Sequence, residues 1–114
     1  MAERGQVLRL KRRLGFAAKG EAESVVVVQV DALNDLLPTL LVVPLDPAAG
    51  SFAGHPAVLK VSREEAGSGV EQVAVPWRLR AVPADSLAPG PVGRLRPATL
   101  AALDDLLRLV LDLP

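Results

Sequence analysis

The chain has 114 residues and no net charge, with 13 basic against 13 acidic groups; half of it is hydrophobic, and only Phe16, Phe52 and Trp77 are aromatic. That length fits one domain, residues 1–114, burying about 65% of its unfolded surface, and the hydrophobic content excludes intrinsic disorder. The absence of cysteine excludes disulfides and thiolate metal sites and suits a reducing compartment. No apolar signal segment follows Met1, and the apolar stretches at 24–30 and 36–45 are too short to cross a membrane, so a cytoplasmic location without membrane contact is expected.

The charge is unevenly spread. Residues 1–19 carry Arg4, Arg9, Lys11, Arg12, Arg13 and Lys19 against Glu3, whereas residues 20–76 are mainly acidic. Residues 77–100 return to Arg78, Arg80, Arg94 and Arg96 against Asp85. Such blocks are either solvated surface or, if the fold joins the two basic ones, a face for a polyanion.

In chain order, residues 6–11 alternate Leu8 and Leu10 with Arg9 and Lys11, the pattern of a half-buried strand. Residues 12–23, with two glycines and mixed charge, predict a long loop. The run SVVVVQV at 24–30 is β-branched almost throughout and predicts a strand covered on both faces, by the core and by another element or subunit. Residues 31–37 predict a turn of helix ended by Pro38. TLLVVPL at 39–45 predicts a buried strand with Pro44 at an edge or bulge. After a loop at 46–55, strands are expected at 57–61 and 72–77 around a polar turn at 62–71, with a further strand at 78–82. Residues 83–96, rich in Pro and Gly, predict a stiff linker. A helix is expected over about 97–112, with Pro97 in its first turn and Leu100, Leu103, Leu106, Leu107, Val110 and Leu111 as one apolar face. Burying four or five of these leucines would contribute on the order of 8–12 kcal/mol of gross transfer energy. Short strands at this spacing argue for a barrel or sandwich, mainly β with one C-terminal helix.

Phosphate-loop, dinucleotide, metalloprotease and nucleophile-elbow motifs are absent, and nothing calls for a cofactor or metal. His55 is the only histidine, which excludes a two-histidine nuclease, and a lone His before Pro56 reads as solvated. The pairs Glu64-Glu65 and Asp104-Asp105 read as surface, because adjacent residues on a helix do not face one site. Trp77 reads as packing or as a base-stacking surface. Gln29, Asp31 and Asn34 read as capping and turn residues.

The order of these pieces resembles the MazF/PemK family of toxin endoribonucleases, and the resemblance covers nearly the whole chain. Arg4-Gly5 is similar to the family's opening RG, VVVVQVDALN at 25–34 to its VVVVQ-x-D-x-x-N segment, and LPTLLVVPL at 37–45 to its PT-x-x-VVPL strand. Arg78 to Leu87 stands in the place of its Q-[IV]-R-T-[IV]-D-K-x-x-L stretch, and Gly93-Arg94-Leu95 resembles its G-x-L entry to the helix. The resemblance implies a small SH3-like β-barrel of the CcdB/MazF/PemK type, a homodimer, an antitoxin protein as partner, and metal-independent cleavage of single-stranded RNA through the 2′-hydroxyl. It also implies that an arginine before the second strand and a Thr or Ser after VVPL carry the chemistry, stabilising phosphoryl charge and orienting the group. Glu23 and Asp46 occupy those two positions here, and carboxylates repel a phosphate by several kcal/mol where water is excluded. Three readings follow: a toxin-fold module that dimerises and binds without cutting; a ribonuclease rebuilt with Glu23 or Asp46 as general base and Arg12, Arg13, Arg78 or Arg80 supplying positive charge; and a toxin acting on a protein, as the CcdB gyrase poisons do, or an unrelated scaffold. Lys11, Arg12, Arg13, Lys19, Arg78 and Arg80 are the candidate RNA contacts.

Overall fold

The computed structural model describes residues 2–11, 23–47, 52 and 54–114. Strand β1 is Gln6–Arg9, β2 Ser24–Val27 and β3 Thr39–Pro47, with a one-turn helix α1, Asp31–Asn34, between β2 and β3. Then follow β4 (Leu59–Val61), helix α2 (Arg63–Ala66), β5 (Gln72–Ala74), a 3₁₀ turn at Pro76–Arg78, β6 (Arg80–Pro83), β7 (Gly93–Arg94) and helix α3 (Pro97–Leu111). The strands form one antiparallel sheet in the order β4-β5-β3-β2-β1-β7, with β6 also on β3. A Leu10–Leu87 bridge carries the chain beyond β6 back to β1, so the sheet curls into a small barrel with α3 packed against it.

Strand β2 is apolar on both faces because both are covered. Val26 joins Val7, Val43, Leu45, Val61 and Leu103 in the core layer beneath α3. Val25 and Val27 join Leu8, Leu40, Val42, Val82 and Leu87 on the other face. The chain's own elements thus supply the second cover at Val25, Val26 and Val27, all 0% exposed, and a partner subunit is not needed for it.

The strand ends sooner than its composition suggests. After Val27 the Gln29 side chain takes over the bonding: its amide donates to Asn34 Oδ1 (3.0 Å) and the Thr39 carbonyl (3.2 Å), and its Oε1 accepts from the Leu41 N–H (3.3 Å). Asn34 in turn donates to the Ala2 carbonyl (3.3 Å), and Asp31 accepts from the Arg4 N–H (2.6 Å). Arg4 also donates to the Val28 carbonyl (3.1 Å) and pairs with Asp104 of α3. Gly5, at φ +92°, lets the chain turn close against Leu100.

Pro44 lies neither at an edge nor at a bulge. It sits inside β3 where that strand changes neighbours, from β6 at Thr39–Val42 to β5 at Leu45–Pro47, and only its carbonyl is used, accepting from the Val75 N–H (3.1 Å). The polar turn expected at 62–71 contains α2, started by a capping box in which Ser62 and Glu65 satisfy each other's backbone N–H groups. The linker at 83–96 contains β7, where a Cβ on Gly93 would strike the Glu65 carbonyl, so only glycine allows α2 and β7 to meet. Helix α3 begins on Pro97 as expected but buries less of its apolar face. Leu103 is fully buried and Leu100 and Leu107 pack partly, while Val110 (37% exposed) and Leu111 (48%) stay in solvent because the sheet ends beneath them.

Candidate functional site

The sequence pattern around Glu23 and Asp46 predicts loops at both positions. Both are buried, at 2% and 6% exposure. Asp46 belongs to β3, opposite Val73 of β5, and the Glu23 carbonyl accepts from the Leu10 N–H (2.9 Å), extending the β1–β2 ladder. Strand pairing brings the two together: continuing the β2–β3 register from Val25↔Pro44 sets Glu23 level with Asp46. Side chains alternate along a strand, so Glu23 shares the face of Val25 and Asp46 that of Val42, which is one face of the sheet. Two carboxylates therefore stand beside each other where the resemblance expects a cation and a hydroxyl.

The basic candidates among the described residues differ in setting. Lys11 is exposed, its N–H donating to the Ser86 carbonyl (2.9 Å). Arg80 is exposed on β6, opposite Val42. Arg78 is half-buried at the end of the 3₁₀ turn, its guanidinium 4.5 Å from the centre of the Phe52 ring. Arg12, Arg13 and Lys19 lie outside the described residues.

Three rings meet beside that arginine. Phe52 and Trp77 contact edge-to-face with centroids 5.3 Å apart, and His55 tilts against Trp77 at 4.9 Å. His55 reads as a solvated residue in the sequence, and the cluster is not legible there, because residues 25 positions apart reveal nothing of their approach until β3 and β5 pair. Glu65, read as surface, is likewise 6% exposed. Burial pushes its carboxyl up, but bonds from the Arg96 N–H (2.8 Å), Thr99 and Ser62 outweigh this and hold it below its ordinary value. Its partners and position make it a structural tie between α2 and the start of α3.

A groove of about 410 Å³, lined by Ala2, Gln6, Leu8, Leu40 and Leu87 among others, opens elsewhere on the barrel and includes none of the candidate residues. Among the described residues there is no group of three or more metal-ligating side chains and no helix long and apolar enough to cross a membrane.

Comparison with known proteins agrees with this fold. Residues 4–111 match the family described as PemK-like, MazF-like toxin of type II toxin–antitoxin system. Among solved structures, the chain is similar to an endoribonuclease in complex with its cognate antitoxin from a mycobacterial species (TM-score 0.75, 21% identity, covering 99% of this chain and 95% of that one). It is similar also to the Mycobacterium tuberculosis toxin MazF-mt6 (TM-score 0.76, 16% identity, 96% and 98% covered) and to a MazE–MazF structure from Deinococcus radiodurans (TM-score 0.77, 18% identity, 99% and 98% covered). No curated protein matches the chain in sequence. At these identities the structures share the fold, and the match over residues 4–111 supplies the family: the chain belongs to the PemK-like, MazF-like toxins of type II toxin–antitoxin systems.

Proposed function

We propose that this chain is a cytoplasmic homodimer that binds single-stranded RNA and an antitoxin protein but has lost RNA cleavage by the family's route. The burial of Glu23 and Asp46 side by side on one sheet face carries this reading. Cleavage through a 2′-hydroxyl needs positive charge or neutral donors where charge develops on the phosphoryl oxygens. Neither Glu23 nor Asp46 is a cation or a hydroxyl donor, so the pair that the family's route uses is missing at both positions. Their burial also speaks against the rebuilt ribonuclease, since a general base must reach the hydroxyl it deprotonates.

Relatives of known structure include an endoribonuclease bound to its cognate antitoxin and MazE–MazF assemblies, which supports an antitoxin as partner. Dimerisation is supported by exposed apolar side chains around α1 and the start of β3 (Val30, Leu33, Leu36, Leu41) and on the last turn of α3 (Leu109, Leu111).

The test incubates purified protein with single-stranded RNA in chelator and follows both binding and strand length. The expected result is intact RNA bound with an affinity that falls steeply with salt. Cleavage without metal that is lost in Glu23→Ala or Asp46→Ala would overturn the reading in favour of the rebuilt enzyme. Light scattering should give twice the 12.0 kDa chain mass; a monomer at micromolar concentration would remove the dimer.

A further inference from the structure

We infer that Phe52, His55, Trp77 and Arg78 form a subsite that holds one unpaired nucleobase of the RNA by stacking; this rests on the RNA-binding reading above. In a chain whose core is built from Val, Leu and Ala, folding makes little use of aromatic rings. Yet Phe52 and Trp77 meet, joined by the only histidine and capped by an arginine. Trp77 keeps 38% of its surface in solvent, and His55 is exposed.

The cluster is held in shape before any ligand arrives. The His55 N–H donates to the Phe52 carbonyl (3.0 Å), and His55 Nδ1 accepts from the Ala57 N–H (3.0 Å), which fixes the ring and makes Nε2 the donor of the neutral tautomer. On the other side Pro76 opens the 3₁₀ turn that carries Trp77, and the Arg78 N–H closes it on the Val75 carbonyl (3.0 Å). A preformed surface of this kind loses little side-chain entropy on binding.

Its chemistry selects the ligand. Trp77 keeps part of its indole in solvent, and an exposed indole can stack on any base. Arg78 is seated on Phe52, and exposed Arg80 two residues further on offers donors to the attached phosphate. A nucleotide presents a flat ring together with a negative charge, a pairing that an aliphatic peptide lacks. The position fits as well: the segment bearing Phe52 and His55 follows β3, and the turn bearing Trp77 leaves the sheet where the Val75 N–H meets the Pro44 carbonyl, two residues from Asp46. RNA laid on the cluster would keep a base on the rings and its phosphate on Arg80 rather than over the buried carboxylates.

Trp77 is the only tryptophan, so its fluorescence reports the subsite directly. The experiment titrates full-length protein with a 2′-O-methylated single strand, which cannot supply the internal nucleophile, and reads indole emission together with anisotropy of the labelled strand. Saturable quenching that tracks anisotropy is expected. Trp77→Ala should weaken binding roughly ten- to a hundredfold, as expected for one lost stacked base, while Trp77→Phe, which keeps a ring, stays within a few fold. Against unaltered protein, an oligonucleotide of abasic residues should bind without quenching, which keeps the test valid should Trp77→Ala misfold. Binding accompanied by unchanged emission, or equal affinity for the abasic strand, would overturn the subsite and leave the RNA-binding reading standing. No binding of any strand would remove that reading, and the subsite with it. Quenching by a synthetic antitoxin-derived peptide but not by RNA would make the cluster a protein contact and overturn the assignment.

Discussion

The two ends of the β2–β3 pair differ sharply. At one end Gln29, Asp31 and Asn34 bond to one another, to Arg4 and to the backbone on either side, so that the turn around α1 is tied to the N-terminal segment and, through Arg4, to α3. At the other end Glu23 and Asp46 stand level on adjacent strands. The first end bears the polar residues that carry the family resemblance, and its work is structural. The second holds the positions where the resemblance expects catalysis, and those residues have changed while the barrel has kept its form. Fold and candidate chemistry are separable here because the two sets of side chains sit at opposite ends of the paired strands.

The largest effect should come from breaking the structural end. Gln29→Ala removes one side chain that serves three partners and leaves buried polar groups behind, so urea unfolding should show a loss of about 2–3 kcal/mol. A loss below about 0.5 kcal/mol would remove the contrast between the ends.

Glu65 supplies the next step, as a buried carboxylate whose bonds hold its proton affinity down. Its folded pKa lies below the ordinary 4.5, so the stability it contributes is fully present above that value and is lost as pH falls through the folded pKa. Thermal melts from pH 6 downward should show this acid limb flattened in Glu65→Gln, at a cost of about 1–2 kcal/mol near neutrality. An unchanged limb would assign acid sensitivity to other carboxylates.

The paired change Glu23→Gln with Asp46→Asn keeps the volumes and removes two carboxylates from one sheet face. Its stability should lie within about 1 kcal/mol of the parent, because the amides keep the shape and an accepting oxygen at each position. Destabilisation beyond about 3 kcal/mol would mean that the carboxylates hold the fold and are not a converted site. The smallest effect belongs to Arg80→Ala, which should move stability by less than about 0.5 kcal/mol while lowering the salt slope of RNA binding by about one. A salt slope equal to that of the parent would place the RNA elsewhere.

Much of the fold was legible in the residues. The β-branched run of β2, the apolar β3 and the Pro97-led helix fix elements by local sterics and periodicity, and α3 runs over Pro97–Leu111 against an expected end near 112. Helix α2 was legible too, through Ser62 and Glu65 at capping-box spacing, though the polar composition around them suggested a turn. Strand β7 was not, because two residues, one of them a glycine, carry no period and become a strand only through Gln6 and Val7. Of the site, the sequence alone determined which residue types stand at the two altered positions, since identity needs no fold to be read. Only the tertiary structure decided that Glu23 and Asp46 are buried side by side, and that Phe52, His55 and Trp77 share one cluster with Arg78. Strand register and loop closure act between residues distant in the chain, and no local pattern encodes which of them will meet.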